Sequence, residues 1–169
     1  MRNKKQIYQD VASLHIASIT SGFLPTLGQN FLSLMYRCID ESVSATLITK
    51  YRDDQLIGFV TGSDGKSNLY RPMLSHPILL VFALFHVLFS MKKVRKIFSI
   101  LRHSSGSVRA GYPAPELLTL CVNSSFRRQG IADELYVKLC HDFQSKSVNE
   151  FVIVVGKALE ANQFYIKQG

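Results

Sequence analysis

Apolar and polar positions follow two rhythms along this chain. From Val11 to Ile19 the pattern predicts an opening strand closed by Ser21-Gly22, whereas Phe31, Leu34, Met35 and Cys38 return at the spacing of one helix face. Ala45 to Tyr51 and Leu56 to Thr61 flank the polar stretch Arg52-Asp53-Asp54-Gln55, which predicts a β-hairpin with a four-residue loop. Leu118 to Val122 is a further apolar strand. Beyond it, Ile131, Leu135, Leu139 and Phe143 mark one face of a helix whose first turn carries Asp133 and Glu134, suited to its dipole. Phe151 to Val155 predicts another strand, and a last helix starts at about Leu159.

The expected order is therefore β, α, β, β, insert, β, α, β, α. The insert, roughly 69–112, separates the third and fourth strands. Its segment Pro77 to Phe89 is apolar all round a helix, with Pro77 near the N-terminus and Lys92-Lys-Val-Arg-Lys96 soon after. Thirteen residues at 1.5 Å each give roughly 20 Å, short of the ~30 Å hydrocarbon layer of a bilayer. The segment is read first as a helix buried against the domain or a second copy, and second as a membrane-surface anchor with basic headgroup contacts. His86 within it is read as a hydrogen-bonded core histidine.

Composition narrows the class. A chain of 169 residues with 47% hydrophobic content fits one folded domain, 1–169, with a sizeable core. Cys38, Cys121 and Cys140 are odd in number and lie in apolar segments without metal-ligand spacing, so no metal is expected and the thiols are read as reduced. With no apolar signal core after the basic N-terminus, the expected location is cytoplasmic, with a membrane-peripheral variant if the insert anchors the chain. The net charge of +8 is local. No acid stands between Asp64 and Glu116, where Lys66, Arg71, Lys92, Lys93, Arg95, Lys96, Arg102 and Arg109 do, while the other 12 cations balance the 12 acids. A local patch without interleaved aromatics argues against a nucleic-acid partner.

The chemistry concentrates between residues 118 and 132. A buried strand, a polar turn with two arginines and Gly130 opening a helix together present unpaired backbone N–H groups and a positive helix end, a cradle for an anion. Neither the nucleotide triphosphate nor the dinucleotide fingerprint is present. Arg127-Arg128-Gln129-Gly130-Ile131-Ala132 instead resembles the Gln/Arg-x-x-Gly-x-Gly/Ala signature of the GNAT acetyltransferase superfamily. A second segment, Ala161-Asn162-Gln163-Phe164-Tyr165 to Gly169, resembles that family's Ala-x-x-Phe-Tyr-x-x-x-Gly. The likeness covers residues 116–169 well and the first sixty by pattern alone.

The resemblance implies an α/β (α+β) fold: a mixed, mostly antiparallel central sheet flanked by helices, with the helical insert after the third strand and the family's final strand pair missing at Gly169. An unpaired sheet edge would invite strand exchange in a homodimer, unless the sequence is truncated; the apolar insert helix is an alternative dimer contact. The implied activity is transfer of an acetyl group from acetyl-CoA, as co-substrate, to a primary amine on a small molecule or sugar, directly within a ternary complex. A CoA-binding or assembly module without turnover is the alternative. Arg127, Arg128, Gln129, Gly130, Ile131, Ala132 and Asp133 would hold the pyrophosphate. Leu120, Cys121 and Val122 would pair with the pantetheine arm, with the Val122 N–H near the thioester oxygen. Glu116 would act as general base and Tyr165 as general acid toward the sulfur. Relatives place an Asn seven residues before the tyrosine, where this chain has Ala158; Asn162 would make the polar cofactor contact instead. Cys121 is not taken as a nucleophile, because no histidine stands at a suggestive spacing.

Overall fold

The structure, a computed structural model, describes residues 2–20, 22–66, 71–85, 115–155 and 160–168. The chain opens with a helix, α1 (Lys4–Ser18), and not with the expected strand. Asn3 caps it by accepting a hydrogen bond from the Lys5 N–H, and Tyr8, Val11, Ala12 and His15 are buried at i, i+3, i+4 and i+7. The helical stripe begins three residues before the segment read as a strand, and that early start decides the conformation. A 3-10 turn at Leu24–Leu27 leads into α2 (Gln29–Asp40), which buries Phe31, Leu34, Met35 and Cys38 as predicted, together with Leu32, Tyr36 and Ile39.

Strands β1 (Ala45–Arg52) and β2 (Gln55–Ser63) form the predicted hairpin, with a tighter connection. Asp53 and Asp54 have φ of 46° and 65°, both left-handed, so the turn is a two-residue type I′ rather than a four-residue loop. Aspartate reaches that region more easily than most residues because its short side chain bonds locally. The insert thus follows the second strand, because the first expected strand is α1. Within it, α3 (Arg71–Leu74) and α4 (Pro77–Leu84) are described, and His86 lies outside the described residues. Strand β3 (Glu116–Val122), helix α5 (Ile131–Ser145), the short β4 (Val152–Ile153) and α6 (Glu160–Gln168) complete the chain; Ala158, Leu159 and Gly169 lie outside the described residues. The sheet order is β1-β2-β3-β4, antiparallel except for the parallel β3–β4 pair.

Each face of the sheet carries its own core. On one, Ile131, Leu135, Leu139 and Phe143 of α5 cover Ile57, Val60 and Leu117. Gly62 makes this close approach possible, since a Cβ there would stand 2.6 Å from Phe143 Cζ and 2.8 Å from Leu139 Cδ1. On the other face, α1 and α2 cover Leu56, Phe59 and Cys121, and α4 adds Ala83 and Leu84 to the same cluster.

Candidate active site

β3 is paired on both sides for only part of its length. Against β2 it runs in register from Glu116↔Ser63 to Val122↔Gly58, but against β4 the partners are Glu116↔Val152 and Leu117↔Ile153 alone. The register with β2 passes from Thr61↔Thr119 to Gly62↔Leu117, which leaves Leu118 as an extra residue, a bulge. A bulge bends its strand and sharpens the twist, and this one falls where β3 and β4 part. Among the described strands, none runs beside β3 from Leu118 to Val122 on that side.

The orientation of the backbone groups follows from one bond. The Asn123 N–H donates to the Ile57 carbonyl at 2.9 Å, toward β2. Successive residues of a strand point their N–H and C=O to alternate sides, so those of Val122 and Leu120 point to the open edge while those of Cys121 face β2. The Arg127 Nε, which donates to the Val122 carbonyl at 3.5 Å, lies on that open side. Of Leu120, Cys121 and Val122, two therefore direct main-chain groups to the open edge.

The chain then turns sharply into α5. Asn123 accepts from the Ser125 N–H and starts a 3-10 turn at Ser124–Phe126. Arg128 and Gly130 both sit in the left-handed region, with φ of 60° and 75°. Gly130 is the N-cap of α5, no side chain caps that helix, and the Gly130 carbonyl accepts the first helical bond, from the Glu134 N–H at 3.0 Å. A helix end of this kind directs first-turn amides and a positive dipole end outward. Open space surrounds the place where a Gly130 Cβ would be, and Arg127, Arg128 and Gln129 are exposed. Arg52 ties the loop to the hairpin by donating to Gln129 Oε1 at 3.1 Å, its guanidinium 5.3 Å from the Phe126 ring centre. Glu134 bonds Lys50 and, at 2.9 Å, Lys138; the bond to Lys50 is the main reason its carboxyl is held below the usual range. It braces the first turn and leaves the loop cationic.

The expected catalytic groups lie apart. Glu116, half-buried, begins β3 at the end remote from the loop. It pairs with Ser63, whose neighbour Gly62 faces Phe143, so Glu116 points toward the α1 and α2 face. Tyr165 lies across the sheet, half-buried against the α5 cluster, as Leu120 and Val122 also are. Burial, with a smaller contribution from Tyr136, pushes its phenol up to about 12. Asn162 stands one turn earlier on α6, half-buried and on the same side of that helix as Tyr165. Cys121 is 4% exposed, its thiol 3.8 Å from the Leu14 carbonyl, and burial raises its pKa. That is the setting of an inert core thiol.

Folding also assembles polar groups that sequence reasoning missed. His15 of α1 is 3% exposed, with Nδ1 2.5 Å from the Tyr36 hydroxyl of α2, and burial lowers its pKa to about 4. His15 Nε2 and the Thr61 hydroxyl are buried without a hydrogen-bond partner among the described residues. Thr61 is the register partner of Thr119, just beyond the bulge. The sole sequence signal was a histidine on the apolar stripe of a helix, and it was masked by reading that stripe as a strand. A separate cleft of about 810 Å³ lies between α1 and the hairpin turn, reaching Asn123. Its Asp10 already takes Arg2 at 3.0 Å and the Tyr51 hydroxyl at 3.1 Å, so these groups serve as a joint between α1 and the sheet.

The sequence profile of the Acetyltransferase (GNAT) family matches residues 16–169. The chain belongs to this family. No curated protein matches its sequence. Among solved structures, it is similar to a ribosomal-protein-alanine N-acetyltransferase from Brucella melitensis biovar Abortus 2308, with 15% identity, a TM-score of 0.54 and coverage of 97% of this chain and 84% of that one. That likeness is one of fold: a four-stranded mixed sheet flanked by helices. GNAT enzymes move an acetyl group to an amine-bearing acceptor and use acetyl-CoA as donor. In this GNAT chain the parted strands and the uncapped α5 end are the two features that suit such a donor.

Proposed function

We propose that this GNAT enzyme binds acetyl-CoA with its diphosphate on the 128–131 turn and its pantetheine arm along the open edge of β3, and that it passes the acetyl group directly to a primary amine. The observation that carries this reading is the coincidence of the Leu118 bulge with the end of β3–β4 pairing. The edge it frees leads straight to an uncapped helix N-terminus. An extended arm can add to that edge as a strand would, taking main-chain bonds from Val122 and Leu120.

Distance along β3 supports one position for the thioester. Six residues of strand separate Glu116 from Val122, roughly 20 Å at ~3.3 Å per residue, too far for a single water to relay a proton. With the diphosphate at the turn, the arm runs from Val122 back toward Leu118, and the thioester comes to lie near the bulge rather than at Val122 as expected from sequence, about 7 Å of strand from Glu116. The acceptor enters from the α1 and α2 face, toward which Glu116 points. Its ammonium proton passes through water to the Glu116 carboxylate, the nitrogen attacks the carbonyl carbon, and as the adduct collapses the carbon–sulfur bond breaks to release CoA thiolate while the nitrogen's second proton leaves to water. Tyr165 holds its proton at any working pH. Full transfer from a phenol near 12 to a thiolate of ordinary pKa, about 8.5, runs uphill, so Tyr165 acts by donating a hydrogen bond to the departing sulfur while solvent supplies the final proton. Direct transfer also agrees with the buried Cys121, which lacks the exposure and lowered pKa of a nucleophile.

The test is release of free thiol from acetyl-CoA over a panel of amines and amino sugars, with CoA binding measured separately by calorimetry. Glu116→Gln should lower kcat by 10²-fold or more, the usual worth of a general base, and Tyr165→Phe by about tenfold, with CoA affinity retained in both. Full rates in both variants would remove these two roles while leaving the donor site standing. CoA binding without thiol release over the whole panel would favour a module that does not turn over, and no heat with CoA would end the reading.

A further inference from the structure

We infer that the outer edge of β1 is a two-fold docking surface for a second copy of this chain, joining the two sheets into one. β1 ends the sheet order β1-β2-β3-β4, and no strand among the described residues runs along its outer side. The groups it offers there follow from one bond. The Asp64 N–H donates to the Ser44 carbonyl at 2.9 Å, so Ser44 faces β2. By alternation Thr46, Ile48 and Lys50 face β2 as well, while the N–H and C=O of Ala45, Leu47, Thr49 and Tyr51 point outward. The register shift between Lys50 and Tyr51 leaves that alternation intact, because the extra residue, Ile57, belongs to β2. Ala45 is already occupied: its N–H donates to the Ser42 carbonyl at 3.4 Å, and its carbonyl accepts from Lys146 Nζ at 3.4 Å. The open groups are those of Leu47, Thr49 and Tyr51, and they are symmetric about Thr49.

That symmetry selects the occupant. An antiparallel copy centred on Thr49 sets Thr49 against Thr49 and Leu47 of each copy against Tyr51 of the other, which closes every open N–H and C=O at once. The side chains agree with this register. Threonine meets threonine, leucine meets an aromatic ring, Ile48 meets Lys50 and Thr46 meets Arg52, so no like charges stand opposed. A register centred on Lys50 would set the two lysines against each other, and one centred on Ile48 would set Tyr51 against the occupied Ala45. Edge strands that stay alone are commonly guarded by proline, by a bulge of their own or by an unpaired lysine. β1 has no proline, the bulge is in β2, and Lys50 is turned onto the α5 face, where it bonds Glu134. Leu47 and Tyr51 pack toward α1 and α2, and Ile48 toward α5, so the helices take the two faces of the strand. The open edge of β3 lies beyond β2, and this pairing leaves it accessible.

The experiment is sedimentation equilibrium of the full chain over a wide range of concentration. The chain should pass from monomer to dimer and stop there, because a two-fold contact closes on itself. Thr49→Pro removes the central outward N–H without touching the β1–β2 ladder, and should raise the dimer dissociation constant by about tenfold or more. Thr49→Cys brings two thiols together across the axis, where paired Cα atoms stand about 5.5 Å apart, within reach of a disulfide. Under mild oxidation it should give a linked dimer that the parent chain does not. Should the proline variant lose its fold, the Thr49→Cys link alone decides. A monomer at every concentration, or assemblies that grow past the dimer, would overturn the inference. So would a dimer that Thr49→Pro leaves intact, or one that Thr49→Cys fails to link, since association would then run through another face.

Discussion

The two faces of the sheet are built to different rules. The α5 face is apolar and close-packed: Ile131, Leu135, Leu139 and Phe143 are each at most 2% exposed, and the fit is tight enough that Gly62 has no room for a methyl group. The α1 and α2 face carries the larger apolar cluster but also encloses His15, Tyr36 and Thr61, with the His15 Nε2 and Thr61 hydroxyl unsatisfied among the described residues. A buried polar atom without a partner costs free energy that an apolar replacement would avoid. One face therefore gives its composition to stability and holds the strands in place, while the other keeps polar groups over β2, on the side toward which Glu116 points.

The largest expected effect tests the tight face. Leu139→Ala removes a fully buried side chain that packs beside Phe143 over Gly62, and should lower stability by about 3–4 kcal/mol in urea unfolding. A loss under 1 kcal/mol would mean that this face relaxes around a cavity and is not the rigid half.

The polar face makes a prediction through pH. His15 has a folded pKa of about 4 against an ordinary 6.5, so the unfolded chain takes up a proton in that interval and the folded chain does not. Stability from this group is complete above about pH 6.5, is lost as pH falls toward 4, and changes no further below, where both states are protonated. The full span is about 3 kcal/mol, of which about 2 falls between pH 7 and pH 5. His15→Leu should flatten that part of the profile, whatever it does to stability at neutral pH. A variant with the same slope as the parent would show that His15 is protonated in the folded state and that the contrast between the faces is overstated.

What could be read from sequence divides along the same line. The period of Ile131, Leu135, Leu139 and Phe143, and the polar break at Asp53-Asp54, are local signals, and they led to α5 and the hairpin. The turn around Gly130 was legible because glycine, arginines and a following amphipathic helix carry its chemistry in adjacent residues. The Leu118 bulge was not legible: Leu117 to Val122 is one apolar run, and an extra residue leaves no mark until the strand is set against β2 and β4. α1 was misread because Ala12, Leu14 and Ile16 alternate, while Tyr8, Val11, Ala12 and His15 recur at helical spacing, and tertiary packing against α2 favours the second pattern. His15, Tyr36 and Thr61 lie far apart in sequence, so nothing local announces that they share one interior.

The smallest expected effect lies where the tight face ends. Gly130 adopts φ of 75° with open space where a side chain would start, so Gly130→Ala meets no clash and bears only the backbone cost of the left-handed region, about 1 kcal/mol. That cost can be met in two ways. If the α5 packing holds the turn, the amides stay in place, the melting temperature drops by a few degrees and the CoA dissociation constant is unchanged. If the turn relaxes instead, stability is nearly preserved, the first-turn amides swing away from the diphosphate, and CoA binding weakens by about fivefold for 1 kcal/mol. Because Ile131 is anchored beneath the sheet at 2% exposure, the first outcome is expected, with calorimetry and thermal melting on the same variant to check it. The second outcome would show that the rigidity of the α5 face stops one residue short of the donor site.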